Sequence, residues 1–187
     1  MGGAAGEGAY GVKEMFKDRA NIVLVGMPGS GKSTVGVILA KMTSRDFLDT
    51  DVLIQISQDR SLQDIVDTEG YMALRRIEEK ILLGLDCHNH VIATGGSAIY
   101  SQAAIQHLKA KGIVVFLKVD LSTLELRIHS FATRGLAKRP DQSFADLFVE
   151  RHPLYIKHAD ITIDCRDLFQ EEVGAQIVAT LKRRKNY

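Results

Sequence analysis

Eight residues carry the strongest chemical signal in the chain: Gly26-Met27-Pro28-Gly29-Ser30-Gly31-Lys32-Ser33. Their pattern is G-x-x-x-x-G-K-[ST], in which each fixed position serves a phosphate. Glycines let successive backbone N–H groups curl inward around phosphate oxygens, so Gly29, Ser30 and Gly31 are candidate cradle residues. Lys32 adds a mobile point charge for β- and γ-phosphates, and the Ser33 hydroxyl offers an oxygen to Mg²⁺. Thr34 follows in the first turn of a helix whose positive end faces the same anion. This set implies Mg²⁺–ATP but not what is done with it.

Charged residues farther along bear on that question. Asp49 and Asp51 lie two apart, so in an extended segment they share one side. One carboxylate beside Mg²⁺–ATP can hold the metal through water. A second can accept a hydrogen bond from a hydroxyl and favour its attack on the γ-phosphate. The same pair could equally be a helix N-cap. Arg75 and Arg76 are neighbours on a helical pattern, with Glu78 and Glu79 placed for surface i,i+3 and i,i+4 pairing. Arg151 follows a basic, aperiodic stretch, Ser130 to Gln142, that contains Arg134, Lys138 and Arg139. A long irregular stretch in a compact domain is more often functional than idle. Carboxylates for hydroxyls and guanidiniums for a carboxylate together describe a hydroxy acid as the acceptor. A nucleoside monophosphate would require cations where Asp49 and Asp51 stand.

These residues need elements to hold them. Asn21 to Val25 reads as a buried parallel strand and Thr34 to Met42 as the helix after the loop. Asp46 to Leu48 is a second strand, and a helix opens at Val52 with Thr50 or Asp51 as its N-cap. Ser61 with Asp64 forms a capping box, and Gly70 separates that helix from Tyr71 to Leu85. His90 to Thr94, Ile113 to Val119 and Asp160 to Asp164 are further strands. Ala103 to Lys111, Leu121 to His129, Ser143 to His158 and Leu168 to Arg184 are helical, with Pro153 expected to kink or break its helix. Val12 to Arg19 is expected as a short helix before the first strand. Alternating strands and helices predict a three-layer α/β/α domain on a parallel sheet. The expected division is a flexible tail over 1–19 and one kinase domain over 20–187. Within it, the acceptor region lies near 50–80 and a lid near 130–142.

Composition narrows the field. A net charge of +1 over 187 residues makes no global electrostatic case for nucleic acid or an anionic membrane. No apolar run is long enough for a membrane span, and the start does not read as a signal peptide. Two cysteines imply no disulfide framework, which fits a cytoplasmic location. A monomer is expected. Cys87-His88-Asn89-His90 lacks a partner pair and reads as a surface turn rather than a metal site. Cys165 reads as a small buried residue, and the Lys182–Lys185 run as cations complementing a helix C-terminus.

Taken in order, the motifs resemble the shikimate kinase family. They are Gly26–Ser33, Asp49-Thr50-Asp51, Leu74-Arg75-Arg76-Ile77-Glu78, Thr94-Gly95-Gly96, Lys138-Arg139-Pro140 and Arg151-His152-Pro153-Leu154-Tyr155. The resemblance implies a nucleoside-monophosphate-kinase-like sheet of order 2-3-1-4-5 and transfer of the ATP γ-phosphate to the 3-hydroxyl of shikimate. It implies that Lys32 holds phosphate, that Ser33 and Asp49 serve Mg²⁺, and that Asp51 binds the accepting hydroxyl. Arg75 and Arg151 would grip the shikimate carboxylate, Gly95 and Gly96 would let backbone approach it, Arg139 would come from the lid, and Arg134 would contact adenine. The chain departs from the family pattern at Tyr71, Leu74 and Ser97, where glutamate, phenylalanine and a third glycine are usual. It departs again at Asp141-Gln142, where two leucines are usual. Two other readings stand beside it: a kinase of the same build for another small hydroxy compound, and a nucleotide-binding regulatory protein without transfer chemistry.

Overall fold

The computed structural model describes residues 20–127 and 135–185. The expected tail and its short helix, and Arg134, lie outside the described residues. Strand β1 (Asn21–Val25) is buried at every position, because it is the central strand and is covered on both faces. Helix α1 (Lys32–Thr43) follows the phosphate loop. Next come β2 (Asp46–Asp49), α2 (Thr50–Gln58), α3 (Leu62–Glu69) and α4 (Tyr71–Leu83). The chain continues through β3 (His90–Ala93), a 3₁₀ turn at Ala98–Tyr100, α5 (Gln102–Lys111), β4 (Gly112–Lys118) and α6 (Leu121–Arg127). It ends with α7 (Phe144–His158), β5 (Ile161–Asp164) and α8 (Gln170–Lys185).

The sheet is parallel throughout, in the order β2-β3-β1-β4-β5. From β1 the chain runs outward to β2 and β3 on one side and to β4 and β5 on the other. The carboxyl end of β1 is therefore the switch point where such sheets leave a crevice, and the phosphate loop sits there.

A main core of sheet and helix side chains is accompanied by a smaller one made of Ile54, Ile65, Leu74 and Ala137. Burying one large aliphatic side chain contributes about 1.5–3 kcal/mol, so α2, α3 and α4 carry enough apolar contact to hold an acceptor region together. Ala137 draws the irregular 135–142 segment onto that cluster. Gly135 N–H also donates to Gln63 Oε1 at 2.7 Å.

Two local expectations change. The N-cap of α2 is Asp49, not Thr50 or Asp51: its side chain accepts from Asp51 N–H, and the helix begins at Thr50. Pro153 does not break α7, which runs through it to His158. The carbonyl that loses its partner belongs to Val149, whose turn faces solvent with that residue 70% exposed. Ser143 and Asp146 close a capping box that starts the same helix.

Candidate active site

A cleft of about 570 Å³ opens above the phosphate loop. Gly29 and Gly31 turn the loop with φ of 82° and 88°, a left-handed region that favours glycine. Gly31 caps α1 without a side-chain bond, which leaves the first-turn N–H groups of the helix for an anion. Gly29, Gly31, Lys32, Ser33 and Thr34 line the cleft. Ser30 does not: it is buried behind the loop, where its N–H donates to Met27 O at 3.1 Å. Lys32 is buried rather than mobile. Its ammonium folds back to donate to Gly26 O and Met27 O, each at 2.9 Å. Burial pushes it down to about 8, against the opposing pull of Asp51 and Asp49.

Asp49 serves two partners at once. One oxygen caps α2, and the other accepts from Ser33 Oγ at 2.6 Å. The cap reading and the metal reading of this residue are thus compatible, because its two oxygens are used separately. Magnesium takes few protein ligands and completes its octahedron with phosphate oxygens and waters. The hard oxygens of Ser33 and Asp49, beside the phosphate cradle, fit that requirement. Among the described residues no group of three or more His, Cys, Asp or Glu could hold a metal ion by itself.

Asp51 lines the cleft, next to Gly95 and Glu78. Glu78 is not the surface pair that its spacing from Arg75 suggests. It is 3% exposed, and Ser97 Oγ donates to its Oε2. Burial, reinforced by the nearby Asp51 charge, pushes its carboxyl up to about 7. Gly95 is glycine for want of space: a Cβ there would collide with Glu78 Oε1 and lie 2.6 Å from Asp51 Oδ1. At Gly96 a Cβ would lie 2.8 Å from Arg151 Nη1.

Arg75 of α4 and Arg151 of α7 converge on one oxygen. Arg75 donates to Ala137 O from Nη2 at 3.1 Å and from Nε at 3.3 Å, and Arg151 Nη2 donates to it at 2.7 Å. Arg75 lies 3.7 Å above the centre of the Tyr100 ring, and Arg151 Nε donates to the Tyr100 hydroxyl at 3.2 Å. Arg151 is 1% exposed and lines the cleft, whereas Arg75 stands behind Ala137. Arg139 is not brought into the cleft. Its guanidinium is 52% exposed and donates to Glu150 Oε2 at 3.3 Å. Gln142 Nε2 donates to that same oxygen at 2.6 Å, and the Tyr100 hydroxyl donates to Glu150 Oε1.

The family model for shikimate kinase matches residues 28–182. The chain belongs to the shikimate kinase family. It is 36% identical to the shikimate kinase of Rhodopseudomonas palustris over 163 residues, 86% of this chain and 80% of that one. It is 34% identical to the Pasteurella multocida shikimate kinase over 86% of this chain and 94% of that one. A solved shikimate kinase from Acinetobacter baumannii in complex with shikimate superposes with a TM-score of 0.84 at 32% identity. That match covers 92% of this chain and 98% of that one.

Besides the residues to which the sequence assigned roles, the fold brings in Glu78, which the motif contained without a role, and Ser97, Tyr100, Gln142 and Glu150. Sequence spacing offered no direct signal for them. The one available hint was that Ser97 and Gln142 stand at positions where this chain leaves the family pattern.

Proposed function

We propose that this chain is a shikimate kinase, an ATP-dependent phosphotransferase that places the γ-phosphate on the 3-hydroxyl of shikimate. The observation that carries the choice of a carboxylate-bearing acceptor is the convergence of Arg75 and Arg151 on one oxygen, the carbonyl of Ala137, a residue that lines the same cleft as the phosphate loop. Two guanidiniums meeting at one point describe a seat for an anion, occupied in this structure by the Ala137 carbonyl. Asp51 and Glu78 line the same cleft, where they can meet the hydroxyls of a bound hydroxy acid.

In this reading the loop N–H groups and Lys32 hold the ATP phosphates, Lys32 exchanging its two carbonyls for phosphate oxygens. Ser33 and Asp49 would hold Mg²⁺, which would supply neutralising charge for the phosphates. Asp51 accepts a hydrogen bond from the 3-hydroxyl, orienting its oxygen toward the γ-phosphorus. The new O–P bond forms as the bond to ADP breaks, and the hydroxyl proton leaves through Asp51. Gly95 and Gly96 admit the acceptor close to backbone. Arg139, released from Glu150, reaches the transferring phosphate when the 130–142 segment closes, and Arg134 contacts adenine from the same segment. The working unit is one kinase domain over 20–187, with its acceptor region near 50–80, acting as a cytoplasmic monomer. Both cysteines are free, in keeping with a reducing compartment.

A coupled ADP-release assay over shikimate, quinate, gluconate and homoserine tests the assignment. Shikimate should give the highest kcat/KM, and its methyl ester, which lacks the carboxylate charge, should be a poor substrate. Preference for an uncharged polyol, or equal turnover of acid and ester, overturns it.

A further inference from the structure

Glu78 is buried with its two carboxylate oxygens treated differently. Oε2 accepts from Ser97 Oγ, at the turn after β3. Oε1 is buried with no hydrogen-bond partner among the described residues. A buried carboxylate oxygen without a partner is costly, and it persists where a ligand supplies the missing bond. Oε1 lies over Gly95, at the point that Asp51 Oδ1 also approaches, and both residues line the cleft. Two carboxylates from α2 and α4 thus present acceptor oxygens to the same small volume.

We propose that Ser97 is a positioning residue for Glu78: its hydroxyl holds Oε2 so that Oε1 stays turned toward an acceptor hydroxyl beside Asp51. The terminal torsion of a glutamate is broad, so the backbone of α4 does not set the carboxylate plane by itself. Lys32 of α1 and Arg151 of α7 both lie close enough to attract it, and Asp51 of α2 repels it. Tyr155 of α7 is also near, but its hydroxyl donates to Gly96 O at 2.7 Å and does not hold the carboxylate. Without the Ser97 hydroxyl, the carboxylate plane would be free to rotate, and Oε1 would no longer be held toward the acceptor. The same bond favours the ionised form of Glu78, the form that can accept a hydroxyl proton. A glycine at this position would supply neither effect, so the departure from the family pattern acts on how the acceptor is held rather than on ATP.

This inference rests on the shikimate assignment, and the experiment separates the two. Wild-type turnover of shikimate against its methyl ester tests the assignment alone. The inference is tested with Ser97→Ala, Ser97→Thr and Glu78→Gln, each checked for folding by thermal melting. For Ser97→Ala, the acidic limb of kcat/KM for the acceptor should rise by about one pH unit. Its KM near pH 7 should rise about tenfold, the worth of one hydrogen bond to a charged group, with KM for ATP unchanged. Ser97→Thr, which keeps the hydroxyl in a larger side chain, should restore most of both. Adding Ser97→Ala to Glu78→Gln should change neither further. In the ligand-free protein, the Glu78 carboxyl followed by ¹³C NMR should titrate higher in Ser97→Ala than in wild type, a readout independent of any acceptor. The inference is overturned if the pH limb and the Glu78 titration do not move, if Ser97→Thr is worse than Ser97→Ala, or if the Ser97→Ala effect persists in the Glu78→Gln background.

Discussion

Replacing Glu78 by Gln should make the protein more stable and a poorer enzyme, and the size of the first effect follows from the site. Burial penalises the charge of the Glu78 carboxyl and, with the nearby Asp51, pushes it from its ordinary 4.5 up to about 7. The folded form therefore holds the proton more tightly than the unfolded form. That contribution is fully present below the unfolded value and is lost as pH rises through the folded one. At pH 8.5 the wild type carries a buried charge at a cost of about 3 kcal/mol, from about 1.4 kcal/mol for each unit of displacement. Glutamine has nearly the same shape, carries no charge and keeps a polar partner for Ser97. Glu78→Gln should thus gain about 2–3 kcal/mol at pH 8.5, a rise in Tm of about 5–10 °C for a domain of this size. At pH 5 the gain should shrink below about 1 kcal/mol, since the wild-type carboxyl is then protonated in the fold. KM for the acceptor should rise about ten- to a hundredfold, as expected for the loss of a charged hydrogen-bond acceptor. Denaturant unfolding at pH 5, 7 and 8.5 with a constant m-value, alongside the coupled assay, provides the measurement. A stability difference that does not change across that range, or a variant less stable than wild type at pH 8.5, would refute the account of Glu78 as a strained buried charge.

The other predictions concern the rest of the cleft. Lys32→Ala should abolish turnover, because no other side chain on the loop supplies a cation; near-normal kcat in a steady-state assay would remove Lys32 from the phosphate site. Gly95→Ala should raise the acceptor KM at least about tenfold while sparing that for ATP, since its methyl group meets Glu78 and Asp51; unchanged acceptor kinetics would show that the crowding is relieved. Arg75→Ala and Arg151→Ala should each weaken the acceptor by about one to two powers of ten. Only Arg151→Ala should also lower Tm, because Arg151 is fully buried and Arg75 is not, and parallel melting curves decide the point. Arg139→Ala should reduce kcat more than nucleotide affinity, and hydrogen exchange over 135–142 should slow when ATP and acceptor are both present; equal exchange in all states would count against closure.

The phosphate loop, the strand before it and the helix after it were legible because they are local. Eight residues specify their own backbone path through glycine conformations and N–H groups. The apolar runs of the strands and the Ser61–Asp64 capping box are local in the same way, so element types and the alternating class could be read directly. The strand order came from the resemblance and is what the sheet adopts. The acceptor side was legible only in part. Asp49 was readable as a cap or as a metal ligand, and only the fold, by bringing Ser33 beside it, let its two oxygens do different work. Glu78 looked like a surface partner of Arg75, because helical spacing says which residues share a face but not which face becomes covered. It was the packing of α4 against the Gly95–Tyr100 turn that buried it and gave it Ser97. Arg75 and Arg151 come from distant helices, and no spacing rule places their guanidiniums on one carbonyl. Arg139 was named from its motif, yet Glu150 and Gln142 hold it outside the cleft. Short-range hydrogen bonds and backbone preferences are written in a few consecutive residues. The burial of a charge, its partner and its titration depend on what the rest of the chain folds over it.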